Sequence, residues 1–295
     1  MEPGAVKISG LGAAGTATLT KNGASSSWSA SRGFWKAKVA AALFLFASTL
    51  GNAASISLSP AETRRIGNKI WQNECKGTLA GLTSWNAGEN FASLGIGHFI
   101  WYPHGVRGPF EESFPKLVDF AAGRGAKLPE VLVPKGSCPW NSRAEFNQAS
   151  QTVRMKELRQ FLANTVDLQA EFLVGRLQNA LPKMLAEASP ARREQVRQQF
   201  QRVANSPGGY YALVDYVNFK GEGVLATERY AGQGWGLLQV LEGMTQEGSD
   251  RETVKNFAAS AKRVLTNRVR NAPPERNEGR WLPGWLSRIN TYVQS

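Results

Sequence analysis

The stretch Ile70-Trp-Gln-Asn-Glu74-Cys-Lys-Gly-Thr-Leu-Ala-Gly-Leu-Thr-Ser-Trp85-Asn-Ala-Gly-Glu89-Asn-Phe-Ala-Ser93-Leu-Gly-Ile-Gly-His98-Phe-Ile-Trp101-Tyr102-Pro103 carries two periodicities back to back. Its first part continues a helix. Ser59-Pro60-Ala61-Glu62 reads as a capping box with proline at the first helical position. Ile66, Ile70 and Glu74 then recur every four residues on one face. Gly77 and Gly81 end that helix, and Asn86, Gly88 and Asn90 mark a turn. Phe91 to Tyr102, rich in aromatics and Ile, reads as strand, with Gly95 and Gly97 clearing one face for the approach of a ligand or another backbone. Glu74 is singled out because a carboxylate at the end of a buried stripe is costly unless it is paired or protonated.

Towards the N-terminus the composition changes. Residues 1–31 are rich in Gly, Ala, Ser and Thr and are expected to be disordered or absent from the mature protein, the true start then lying downstream of Met1. Residues 32–53 combine Arg32, Lys36 and Lys38 with the apolar run Val39–Leu50 and the small residues Gly51-Asn52-Ala53, the order of a secretory signal peptide cleaved near Ala53. That run is short for a membrane span and no later segment is long enough, so no span is expected after cleavage. The predicted location is the periplasm or the cell exterior, with residues 54–295 as the working domain.

The chain has a net charge of +12, and residues 1–53 hold five cations against Glu2, which leaves about +8 for the remainder. For an exported protein the polyanion at hand is the cell wall, whereas export and the lack of any nucleic-acid motif argue against nucleic acid. Cys75 and Cys138, alone in the sequence, form no metal-type pair, and an oxidising compartment predicts one disulfide between them, the alternative being two buried thiols. Two histidines without matching cysteines predict no metal site, no cofactor is called for, and the oligomeric state is left open.

Beyond Tyr102 prolines 103, 109, 129, 134 and 139 predict a loop-rich segment with a short helix near Phe114–Ala122. From Asn141 helical spacing takes over: Val153, Leu158, Phe161, Leu162, Leu168, Phe172, Leu173, Leu177 and Leu181. Further helices are expected over 190–204, 209–219, 234–245 and 250–269, with a last one after Pro283. The fold class is therefore mainly α with a small β element (α+β).

The helix, Glu74, turn and Ser93-Leu94-Gly95-Ile96-Gly97-His98 together resemble the catalytic segment of phage-type lysozymes, over about a seventh of the chain. That resemblance implies a lysozyme-like fold with a larger helical lobe, a peptidoglycan or related amino-sugar substrate, Glu74 as general acid, Ser93 at the position of the family's threonine, and His98 as a structural residue beside the site. The family's turn aspartate falls on Ala87, so Glu89 is the nearest carboxylate for the second role. By residue chemistry alone Glu74 is either a proton donor raised by burial or one half of a buried salt bridge to an arginine.

A second constellation, Asp215-Tyr-Val-Asn218-Phe-Lys220-Gly-Glu222, Glu228-Arg-Tyr230 and Gly234-Trp235-Gly236-Leu-Leu-Gln239, is similar in its Gly-Leu-Leu-Gln strip to soluble lytic transglycosylases. It makes Glu222 the alternative acid, with Asn218, Glu228, Tyr230, Trp235 and Gln239 as the opposite wall of a cleft. Trp85, His98, Trp101 and Tyr102 complete the predicted sugar-binding set, the aromatics because their faces stack on sugar rings. A third reading is a non-catalytic wall-binding or envelope structural protein with a degenerate cleft of the same shape.

Overall fold

The computed structural model describes residues 58–108, 110–245 and 250–294. The predicted leader segments, residues 1–31 and 32–53, lie outside these residues. The described chain is mostly helical, with a small antiparallel sheet near its start.

Helix α1 (Pro60–Cys75) opens with the expected capping box: Ser59 Oγ accepts from the Glu62 N–H, and the Glu62 carboxylate accepts from the Ser59 N–H. Such a cap stabilises a helix by about 0.5–2 kcal/mol. Lys76 and Gly77, both at positive φ, stop the helix one residue after Glu74-Cys75. Three short strands follow, β1 (Thr83–Ser84), β2 (Ala92–Leu94) and β3 (Phe99–Trp101), in the order β1-β2-β3. Ser93 is paired with Ser84 on one side and Ile100 on the other. The β1–β2 connection is the predicted Asn86–Asn90 turn.

Gly95-Ile96-Gly97-His98, expected within a strand, is instead the turn that joins β2 to β3. Gly95 and His98 both take positive φ, which reverses the chain and stops the strand ladder. A Cβ on Gly95 would lie 2.3 Å from the Gln169 Oε1, and one on Gly97 2.6 Å from the Phe99 ring. The glycines thus admit neighbouring side chains of this protein.

The helical body comprises α2 (Phe114–Gly123), α3 (Arg143–Gln148), α4 (Val153–Asn164), α5 (Val166–Glu187), α6 (Arg193–Asn205), α7 (Gly209–Lys220), α8 (Leu237–Glu242), α9 (Asp250–Asn271) and α10 (Leu282–Asn290). The continuous pattern after Asn141 breaks where Thr152 caps α4 and Thr165 separates α4 from α5. The helix expected over 234–245 is shorter, because Gln233–Gly234 forms strand β5 against β4 (Arg229–Tyr230). Helix α5 runs through the middle and packs on α1, α2, α6 and α7. At its crossing with α1, Gly67 lets Val166 and Ala170 come within 3.0 and 3.1 Å of where a Cβ would stand. One hydrophobic core joins the sheet and helices. Among the described residues no helix is long and apolar enough to cross a membrane.

The expected disulfide does not form: Cys75 and Cys138 are both buried free thiols, apart from disulfide distance. The Cys75 Sγ faces the Gly95 carbonyl at 3.7 Å and His98 Nε2 at 3.9 Å. Cys138 belongs to another neighbourhood, its N–H donating to the Tyr102 carbonyl at 2.9 Å. Burial pushes both thiols up to about 12, which disfavours the thiolate that disulfide exchange needs.

Candidate active site

Glu74 sits where α1, the β2–β3 turn, α7 and α10 meet. Helix periodicity puts it one turn beyond the fully buried Ile70, with its side chain 14% exposed. The Arg288 Nη2 of α10 donates to Glu74 Oε1 at 2.7 Å, and Asn218 Nδ2 of α7 approaches the same oxygen at 3.3 Å. The other oxygen, Oε2, lies 3.7 Å from His98 Nδ1. The arginine partner that residue chemistry left open is therefore present.

Arg288 serves two carboxylates. Its Nε and Nη2 donate to the two oxygens of Asp215 at 2.8 and 2.7 Å, and Asp215 Oδ2 also accepts from the Tyr292 hydroxyl at 2.7 Å. Asp215 is wholly buried. Burial works to lower the Arg288 pKa, but Asp215 and Glu74 outweigh it and hold the guanidinium well above its ordinary value. A guanidinium suits this task because its planar fork meets a carboxylate with two parallel bonds.

His98 is held in place from below. Gln169 of α5, fully buried, accepts from the Ile96 N–H at 2.8 Å and donates to the Leu162 carbonyl at 2.6 Å. This amide ties the glycine turn to the α4–α5 junction and so fixes the ring that faces Glu74.

Glu89 stands within electrostatic reach of His98. It is half-buried, and its carboxyl is pushed up by burial, against the hydrogen bonds from Asn86 and the pull of His98. Ser93 is buried on the central strand, on the sheet face shared with the half-buried Ser84 and Ile100. Among the described residues it makes no hydrogen bond to Glu74.

Lys220 closes the α7 side. Its Nζ lies 3.5 Å from the centroid of the Trp285 ring and 3.9 Å from that of Phe219. Burial, helped by Arg268 and Arg288, lowers the amine to about 6, while Glu278 and Glu74 oppose the shift.

The rest of the second constellation forms its own knot. The N–H groups of Leu237 and Leu238 donate to the carbonyls of Gly221 and Glu222, and Gln239 Nε2 donates to the Gly223 carbonyl. The Gly-Leu-Leu-Gln strip therefore packs on the Gly221–Gly223 loop. Glu222 itself pairs with Lys183 at 2.8 Å rather than with the Glu74 cluster. Glu228 closes the loop by accepting from the N–H groups of Gly223 and Leu225. Tyr230 donates to Glu278 at 2.9 Å.

The expected sugar platforms are mostly interior. Trp85, Trp101, Tyr102 and Trp235 are each 7% exposed or less. Trp85 donates to the Glu89 carbonyl, Trp101 packs on Phe114 and Trp140, Tyr102 on Phe91, and Trp235 on Tyr230 and Arg268. Composition could not separate these roles, since large aromatics serve cores and sugar sites alike. Arg288 and Tyr292 escaped the sequence reading altogether: arginine is abundant in this chain, and nothing near residue 288 marks one as the partner of Glu74. Comparison of the chain with protein-family models, curated proteins and solved structures finds no match.

Proposed function

We propose that the protein is an exported glycan-cleaving enzyme that acts on peptidoglycan, with Glu74 as the proton-handling carboxyl group at the scissile bond. The observation that carries this reading is the setting of Glu74, with one oxygen bound to Arg288 and Asn218 and the other turned to His98. Arg288 makes two further bonds to Asp215, so it can give up Glu74 and keep a carboxylate partner. Glu74, with its side chain 14% exposed, is placed to pass a proton to the leaving oxygen of a glycan that reaches it. Glu89, half-buried in the turn between β1 and β2 with its carboxyl pushed up by burial, is our candidate for the second group, as the base that activates water. The cationic surplus of the chain suits an anionic wall polymer.

The experiment is mass spectrometry of fragments released from purified sacculi by the full chain, beside Glu74→Gln, Glu89→Gln and Glu222→Gln. The expected outcome is release of muropeptides that falls by about a thousandfold or more in Glu74→Gln, the scale of losing acid catalysis, while the variant still pellets with sacculi. Reducing ends identify a hydrolase, and anhydro ends a lytic transglycosylase. Activity lost only in Glu222→Gln would move the acid to Glu222. A wild-type protein that pellets with sacculi and releases nothing would be a wall binder, and the enzymatic reading would be wrong.

A further inference from the structure

A groove of about 590 Å³ runs along the part of α1 that precedes Glu74, against α7 and the C-terminal segment. Its walls include Arg65, Asn68, Lys69, Gln72, Thr291 and Gln294, and none of its lining residues is Glu74, His98 or Arg288. Its volume falls within the roughly 300–1,000 Å³ usual for small-molecule sites. The cations here are unequally engaged. Arg64 is taken up by Asp167 in a two-pronged pair. Arg65 and Lys69 have no carboxylate within ion-pair distance among the described residues; Glu62, the acid nearest in sequence, is held by the Ser59 cap. Lys69 rests 4.9 Å over the face of Tyr211.

Two cations four residues apart on one helix repel each other and share no counter-ion. Partial burial and Arg65 accordingly lower the Lys69 pKa. Beside Ala61, Arg64 and Tyr211, side-chain amides and the Thr291 hydroxyl line the groove, and such groups recognise sugar hydroxyls by hydrogen bonding. We infer that this groove binds an acidic saccharide unit, its carboxylate or phosphate held between Arg65 and Lys69 and its hydroxyls met by Asn68, Gln72 and Gln294. The groove lies beside the Glu74 cluster: Thr291 donates to the Arg288 carbonyl, and Tyr211 packs on Tyr292, which holds Asp215. It does not depend on cleavage at Glu74, so either site can fail alone.

The test is isothermal titration of the full-length protein at low salt with glucuronate, glucose 6-phosphate, inorganic phosphate and glucose. The same titrations follow with Arg65→Gln/Lys69→Gln and with Arg107→Gln, an exposed arginine of a different groove, as control. Saturable binding of an acidic sugar, weakened at least about tenfold in the double variant and unchanged in the control, is expected. The stronger of glucuronate and glucose 6-phosphate identifies carboxylate or phosphate as the anchor. Lys69 Nζ, followed by NMR in the wild type, should titrate at higher pH with the sugar bound, a readout that needs no variant. Glucose binding as tightly as the acidic sugars, inorganic phosphate matching glucose 6-phosphate, equal losses in the control, or no saturable binding would each overturn the inference.

Discussion

Glu74 and Asp215 share Arg288 but depend on it unequally, and this difference can be measured. Asp215 has no exposure and holds both Arg288 and Tyr292, whereas Glu74 sits at the edge of the network and retains Asn218. Removing the charge of Asp215 leaves a buried guanidinium short of its main partner, a class of change that costs about 3–5 kcal/mol. Glu74→Gln leaves the Arg288–Asp215 pair intact and is expected to cost less than about 1.5 kcal/mol. Urea unfolding of Asp215→Asn and Glu74→Gln should therefore separate the two clearly. Equal losses would mean that Arg288 is not anchored mainly by Asp215, and the shared-arginine account of Glu74 would fall with it.

At the scale of elements, the turn between β2 and β3 is tied to α5 by one polar side chain, Gln169, besides its own backbone bonds. Its glycines were legible as room for a ligand or another backbone, but the sequence does not say what approaches them. Gln169 approaches them, from a helix that begins some seventy residues later. Gln169→Leu leaves the Ile96 N–H and the Leu162 carbonyl without this partner, at about 1–3 kcal/mol for each group that stays unpaired. Hydrogen exchange should then quicken at the 95–98 amides while the centre of α9 keeps its protection. An unchanged exchange rate in the turn would remove Gln169 from the positioning of His98. The helix boundaries around α1, α2, α7 and α9 were readable because caps, glycines and apolar spacing act within a turn or two. The break at Thr165 and the shortening of α8 were not: the Thr165 hydroxyl turns back to the Phe161 carbonyl, and Gln233–Gly234 pairs with Arg229–Tyr230 as strand.

For the whole molecule, the cysteines carry the clearest lesson. Their number and the expected compartment argued for a bond, yet the fold lodges Cys75 beside the hairpin turn and Cys138 beside Tyr102. Stability should therefore be indifferent to reductant. The unfolding midpoint should match with and without a reducing agent, and a thiol reagent should label two cysteines after unfolding but react slowly before it. A midpoint that drops on reduction would show that the thiols pair in solution.

By itself the sequence determined that a capped helix runs to Glu74 and stops at the glycines beyond it, that a turn and a short β element follow, and that the chain from Asn141 is mainly helical, because those signals are local and repeat along the backbone. It also determined that a carboxylate ends a buried stripe. Only the tertiary structure decided that Arg288, 214 residues away, would hold that carboxylate, and that most of the candidate aromatics would be core. Periodicity tells which side of a helix is buried. The partner that meets it is chosen by packing and charge satisfaction across the folded chain.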